Sequence, residues 1–298
     1  MTSRQATPVG LSGRRVVVTG ASPGSLGAAT ARVLREWGAD VVVTTRTDPD
    51  AAARAIGDDV VGRSLDLTDR DSVAAFGDWY DDRSGAAGLD VLVNNAGIHL
   101  DLRSSWHEPL RTADGHEIHW RTNYLGTMQL THGLLPALAR AAGRTGDARV
   151  VTVVSKLHER GRNEFLFNPL TPYNSWDAYG LSKLALVHAM TELDRRYAAE
   201  GLSAYAVHPG SVYTNIADRG LEGHRLLTGV RRLFAPLERR ILVSPRDGAQ
   251  TSIHCATAPS LPSGYYRDCA LTTPSPEATD VEVAARLWEE TGRWIVAA

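Results

Sequence analysis

Thr19-Gly20-Ala21-Ser22-Pro23-Gly24-Ser25-Leu26-Gly27 follows the run Arg14-Arg15-Val16-Val17-Val18 and opens an amphipathic stretch over residues 26–37. The β-branched run reads as a strand and the stretch after it as a helix. Glycines at such a junction allow a tight turn and let backbone approach a pyrophosphate. The helix start adds free N–H groups and a partial positive charge. A glycine-rich turn alone serves any strand-to-helix connection. Here it sits in the first unit of a repeating strand–helix pattern, which gives it weight. Gly20, Ser22, Gly24, Ser25, Leu26 and Gly27 are therefore candidate cofactor contacts, with the Ser25 hydroxyl a candidate phosphate ligand.

The alternation continues along the chain. Residues 41–44, 60–65, 89–93, 149–154 and 202–207 read as strands. Residues 69–80 read as a helix with Thr68 or Asp69 as its N-cap. A long helical region is expected over 113–140, stopped near Gly143, and another over 176–200, ending before Gly201. Near-continuous apolar strands alternating with helices imply a parallel sheet covered on both faces. The expected fold is α/β: a single Rossmann-type, doubly wound parallel sheet. One domain is expected over 1–298, with about 12–156 mainly cofactor-binding and 157–298 completing the sheet and shaping a substrate crevice. Residues 158–175 and 215–244 break the alternation and are candidate crevice loops.

Composition excludes several classes. A formal net charge of −2 gives no bulk attraction to nucleic acid or anionic membrane. No apolar run approaches the ~18–20 residues of a membrane span, and residues 1–10 lack the apolar stretch of a secretion signal. Cys255 and Cys269 are then expected to be reduced, and the location cytoplasmic. The only lysines are Lys156 and Lys183, in a chain whose other basic residues are all arginine. Arginine replaces lysine poorly where a compact ammonium is needed.

Tyr179 and Lys183 are one helical turn apart and share a face. A phenol has a pKa of about 10. A nearby ammonium is expected to lower it by ~1–3 units, so that Tyr179 can exchange a proton near neutral pH. Ser155, at a strand end, can hold a substrate oxygen against it. Lys156, next along that strand, points the other way and is not expected in the chemistry. His116 and His119 are three apart rather than four, and no metal site is expected. Trp106, His107, His158, Phe165, Phe167, Tyr173 and Trp176 either line a substrate pocket or pack their own loops. After the second strand, Arg46 stands where an acidic residue would favour NAD. Its fork suits a 2′-phosphate, so NADP(H) is expected over NAD(H). A solvated surface arginine is the competing reading.

Six motifs in order carry a family resemblance: the glycine loop, Asp66-Leu67, Asn94-Asn95-Ala96-Gly97, Asn123, Ser155 with Tyr179-Gly180-Leu181-Ser182-Lys183, and Pro209-Gly210-Ser211-Val212-Tyr213-Thr214. Together they resemble the short-chain dehydrogenases/reductases over nearly the whole chain. One departure is visible: two residues, not one, separate Gly24 from Gly27. The resemblance implies a nicotinamide-dependent oxidoreductase with Asn123, Ser155, Tyr179 and Lys183 as catalytic residues. It also implies cofactor contacts at Asp66, Leu67, Asn94, Ala96, Gly97, Tyr179, Lys183, Pro209, Gly210, Val212 and Thr214, and a water held at Asn123. Residues 149–158, 263–269 and 285–289 resemble the retinol-dehydrogenase-like branch, which implies NADP(H) and a lipophilic alcohol, aldehyde or ketone. Homodimers or homotetramers are common in the family; no membrane anchor is evident in this chain. A non-catalytic NADP(H)-binding sensor or scaffold is the alternative class. The intact Ser155, Tyr179 and Lys183 weigh against it.

Overall fold

A computed structural model describes residues 4–100, 105–210 and 244–296. Eight strands form one sheet: β1 (Arg15–Val18), β2 (Asp40–Thr45), β3 (Val61–Ser64), β4 (Val91–Asn94), β5 (Ala148–Val153), β6 (Leu202–His208), β7 (Gly264–Arg267) and β8 (Ala270–Leu271). Their spatial order is β3-β2-β1-β4-β5-β6-β7-β8. All pairings are parallel except β7 with β8. The helices are α1 (Leu26–Glu36), α2 (Pro49–Arg54), α3 (Arg70–Ser84), α4 (Gly126–Thr145), α5 (Ser175–Tyr197), α6 (Gln250–Thr257) and α7 (Val281–Val296), with a short helical turn at Pro245–Gly248 before α6.

Because successive strand residues face opposite ways, the valine runs feed two cores. Val17, Val42, Leu92 and Val150 pack under α3, α4, α5 and α7. Val16, Val18, Val41, Val43, Val93 and Val151 pack under α1 and α6. The expected Rossmann-type fold with helices on both faces is therefore the observed one. The strand order reverses between β1 and β4, the place where open parallel sheets leave a ligand crevice beyond the strand ends.

Two boundaries differ from expectation. The long helix does not begin at residue 113. Asp114-Gly115 makes a turn instead, closed by an Arg111–Glu117 bridge and by Thr112 N–H donating to the His116 carbonyl. A π-helical turn, Trp120–Leu125, then leads into α4. The helix passes Gly143 and closes on Gly146, which takes left-handed φ 69°. A glycine inside a helix costs only ~1 kcal/mol, less than burying the apolar face of α4 returns. Asp69, not Thr68, caps α3 by accepting from the Asp71 N–H.

Candidate active site

The glycine loop lies at the β1/β4 switch. Gly20 (φ 69°) and Gly24 (φ 77°) are left-handed. A Cβ on Gly20 would stand 2.8 Å from the Ala96 Cα. Asn95 stitches the junction: its Nδ2 donates to the Thr19 and Gly20 carbonyls at 2.8 and 3.2 Å. The Thr19 hydroxyl accepts from the Asn95 and Ala96 N–H groups at 3.0 and 2.9 Å. Thr19 and Asn95 thus hold the crevice floor, though neither carried a site role in the sequence reading. Hydroxyl and amide groups beside a strand end are the signal for such a clamp.

The extra residue of the loop has a plain explanation. Ser25 is the N-cap of α1, accepting from the Ala28 N–H at 3.1 Å and donating to the Gly20 carbonyl at 3.1 Å. Its hydroxyl joins the helix end to the Gly20 carbonyl. Leu26 turns its side chain into the core under α1 and offers the loop only backbone, as a first helical residue does. Gly27 follows, and a Cβ there would fall 2.5 Å from Asn95 Nδ2 and 2.7 Å from the Gly20 carbonyl. Ser22 pairs with Thr45 at 3.1 Å, drawing the loop to the end of β2. Beyond it, Arg46 is exposed and has no hydrogen-bond or ion-pair partner among the described residues.

Three residues expected at the cofactor also have structural partners. The Asn94 side chain is buried among Thr131 and Thr152, donating to both hydroxyls. It ties β4 to α4 and β5 and does not reach the crevice. Leu67 is buried in the core under α4. Asp66 accepts from the Thr68 N–H and hydroxyl at 2.9 and 2.7 Å, a turn that leads into α3. Ala96 and Gly97 stay at the crevice; a Cβ on Gly97 would sit 3.2 Å from Asn123 Oδ1 and 3.3 Å from Lys183 Nζ. Pro209 and left-handed Gly210 (φ 80°) follow β6. Val212, Thr214 and residues 215–243 lie outside the described residues.

Tyr179, Lys183, Ser155 and Asn123 come together. Asn174 caps α5 through the Trp176 and Asp177 N–H groups and sets the register that places Tyr179 and Lys183 on one inner face. Lys183 Nζ is 5.8 Å from the Tyr179 ring centroid and donates to the Val153 carbonyl at 3.1 Å. Burial pushes the Tyr179 phenol up to about 12, against a downward pull from a Ser155 hydrogen bond. Burial also brings Lys183 down to about 8. This corrects the expected electrostatics: the ammonium faces a strand carbonyl, and desolvation wins over its attraction for phenolate. Ser155 follows β5 and caps the next 3-10 turn, Lys156–Arg160. Asn123 sits in the π-helical turn. Its Oδ1 accepts from the Ile98 N–H at 2.8 Å, and its Nδ2 donates to the Ile98 carbonyl and the Ser182 hydroxyl.

The loop aromatics divide. Phe165 and Phe167 pack on the core, with Arg286 3.8 Å over the Phe167 ring. His158 is buried, its Nδ1–H donating to the Ser155 carbonyl while its Nε2 accepts from the Ser275 N–H. Trp106 N–H donates to the Ser175 hydroxyl and its carbonyl accepts from the Ser175 N–H at the start of α5, and His107 is exposed. Trp176 borders the surroundings of Tyr179 through His99. Tyr173 donates to Glu117 at 3.0 Å. His119 turns inward to the same carboxylate at 2.8 Å, apart from half-exposed His116.

The pattern of the short chain dehydrogenases matches residues 14–223. The chain belongs to the short-chain dehydrogenase family. Retinol dehydrogenase 12 of Bos taurus is 39% identical over 295 residues, covering 95% of this chain and 86% of that protein. Human retinol dehydrogenase 11 is 34% identical, covering 94% and 85%. The crystal structure of an uncharacterized protein from Mycobacterium Paratuberculosis superposes with TM-score 0.71 at 35% identity, covering 96% and 94%. Pseudomonas aeruginosa RhlG, solved as an NADP active-site complex, superposes with TM-score 0.62 at 25% identity, covering 90% and 98%. This short-chain dehydrogenase is thus a nicotinamide-dependent oxidoreductase of the retinol-dehydrogenase-like branch. No described helix is long and apolar enough to cross a membrane.

The loop geometry gives a first prediction. Gly27→Ala puts a methyl against an amide already committed to two carbonyls. The loop must open, and the dissociation constant of the nicotinamide cofactor is expected to rise about tenfold or more, the equivalent of one lost hydrogen bond. Fluorescence titration reads it; an unchanged Kd would show that this loop does not cradle the cofactor.

Proposed function

We propose that this chain is an NADP(H)-dependent oxidoreductase that interconverts a carbonyl and an alcohol on a small, lipophilic substrate. The observation that carries the reading is the half-buried Tyr179 phenol beside Ser155, with Lys183 one turn along the same helix face. The cofactor fits the residues present: the left-handed glycines, the close approach at Gly27 and the start of α1, where Ser25 takes only the Ala28 N–H, make a cradle that side chains would fill. When bound, it supplies the hydride. About 12–156 are mainly cofactor-binding, and the described part of 157–298 completes the sheet and shapes the substrate crevice.

Ser155 donates its hydroxyl to the substrate oxygen and sets it against Tyr179. With its phenol pushed up to about 12, Tyr179 keeps its proton at neutral pH and gives it to that oxygen during reduction. Lys183, at about 8, is largely charged at pH 7. It returns a proton to the tyrosine and has donors left for the nicotinamide ribose. Asn123 spends its side-chain amide on Ile98 and Ser182, so its backbone carbonyl anchors the water that links Lys183 to solvent.

The unpaired Arg46 supports NADP(H) over NAD(H), because its fork is free to take a 2′-phosphate. Arg46→Ala is expected to weaken NADPH about tenfold or more, the worth of a charge-assisted hydrogen bond, and to leave NADH unchanged. Isothermal titration of both cofactors checks it; equal NADPH affinity in wild type and variant would sink the preference. The relatives' retinol dehydrogenase names favour an apolar carbonyl or alcohol. A panel of aliphatic and aromatic aldehydes, ketones and retinal, followed by NADPH consumption, tests the activity. Binding of NADPH without turnover on any member would overturn it.

A further inference from the structure

His99 lies against the ring face of Tyr179 and has no part in the mechanism above. Its imidazole lies parallel to the phenol ring, 4.2 Å between centroids and 10° between planes. The imidazole is itself held in place. Trp176 meets it edge-on at 4.6 Å and His119 at 5.9 Å. His119 also meets the Tyr179 ring edge-on, at 6.0 Å and 85°. The His119 ring cannot turn freely: its Nδ1–H donates to Glu117 at 2.8 Å, and its Nε2 accepts from the Leu100 N–H. The backbone before His99 is pinned as well, since Asn123 binds both the N–H and the carbonyl of Ile98. His99 and His119 are buried.

We propose that His99, stacked on Tyr179 and braced by Trp176 and His119, is a positioning residue that fixes the plane of the Tyr179 phenol. The proposal rests on the acid–base reading of Tyr179 and deepens it. Rotation about the tyrosine Cβ–Cγ bond leaves the phenol oxygen where it is. That rotation turns the plane in which the O–H bond and the lone pair conjugate with the ring. The torsion is intrinsically broad, so without a partner on its face the donated proton samples many directions. Offset or parallel stacking of flat rings narrows that spread. Small errors of alignment at the reacting atoms are costly, about a hundredfold for an ångström. His99 therefore acts through the direction of a proton, without touching the substrate.

His99→Leu removes the flat face and His99→Phe keeps it. With the active carbonyl from the substrate panel and NADPH-binding sites titrated so that only folded protein counts, His99→Leu is expected to lower kcat about tenfold or more. Its KM and NADPH Kd should stay within about threefold of wild type, and its solvent deuterium isotope effect on kcat should rise. His99→Phe should return kcat to within about threefold of wild type and restore the isotope effect. If His99→Leu does not fold, His99→Gln, which also lacks a ring, carries the same expectation. Equal kcat in wild type and the ringless variant would overturn the proposal. So would an equal loss in Phe and Leu, or a rise in KM at constant kcat, which would put His99 against the substrate. An active Tyr179→Phe enzyme would instead remove the reading beneath it. A dead Tyr179→Phe enzyme with an indifferent His99→Leu enzyme would remove this inference alone.

Discussion

Tyr179→Phe is expected to lower kcat about a thousandfold while leaving NADPH affinity within about threefold of wild type. Phenylalanine preserves the ring that stacks on His99 at 4.2 Å and its place on α5. It deletes only the hydroxyl near Ser155. With that hydroxyl goes the proton that the substrate oxygen must receive, and general acid catalysis is worth about 10²–10⁴-fold. Ser155 and the cofactor remain and can still polarise the carbonyl, so a small residual rate is expected. Single-turnover NADPH oxidation measured beside cofactor titration separates the two effects. A variant that turns over at the wild-type rate would remove Tyr179 from the chemistry. The high phenol pKa also sets a direction with pH. Tyr179 gives up its proton to solvent only towards about 12, so the loss of reduction above neutrality should follow Lys183, which returns that proton and sheds its own at about 8.

The second large effect is on stability in acid. His188 lies one turn beyond the Lys183 region of α5 and is fully buried. Its Nε2–H donates to Asn163 Oδ1 at 2.9 Å, and Asn163 in turn donates to the Glu277 carbonyl. Burial brings its pKa from 6.5 down to about 4, although Asp280 and Glu277 pull the other way. Above pH 6.5 both folded and unfolded chains hold this imidazole neutral, and it adds no pH dependence. Between 6.5 and 4 the unfolded chain takes a proton that the folded chain refuses. Stability therefore falls as pH drops through this window, by about 1.4 kcal/mol for each unit. From pH 7 to pH 4.5 the loss from His188 alone comes to about 2–3 kcal/mol. His188→Phe costs some stability at pH 7, because it leaves the Asn163 carbonyl oxygen without its donor. The variant should lose about 2 kcal/mol less than wild type between pH 7 and 4.5. Urea unfolding at the two pH values measures this. Parallel losses in both proteins would show that His188 does not titrate in the window.

Much of this was legible in one dimension. The valine runs at 16–18 and 41–43 alternate between two cores, and an interior sheet covered on both sides requires that pattern. The glycine loop was legible because left-handed turns and close approaches admit no other residue. Tyr179 and Lys183 were legible because a spacing of four is a helical repeat. Other features were hidden. Only the position of the α1 end showed that the Ser25 hydroxyl is the cap. Asn94 belongs to a motif whose neighbour Asn95 faces the loop, and strand alternation sends the two amides to opposite sides. His99 and His119 are twenty residues apart, on different segments, and nothing local ties either to Tyr179.

By itself, then, the sequence determined the parallel sheet, the family, the glycine cradle and the pairing of Tyr179 with Lys183. Each follows from a short repeat or a local backbone demand that neighbouring residues satisfy alone. Tertiary structure decided which hydroxyls and amides hold the scaffold and which face the crevice. It also decided how burial sets the protons of Tyr179 and Lys183, and which rings close on the phenol. Those depend on distances between segments and on how much water packing leaves at each group, and a linear order of residues carries neither.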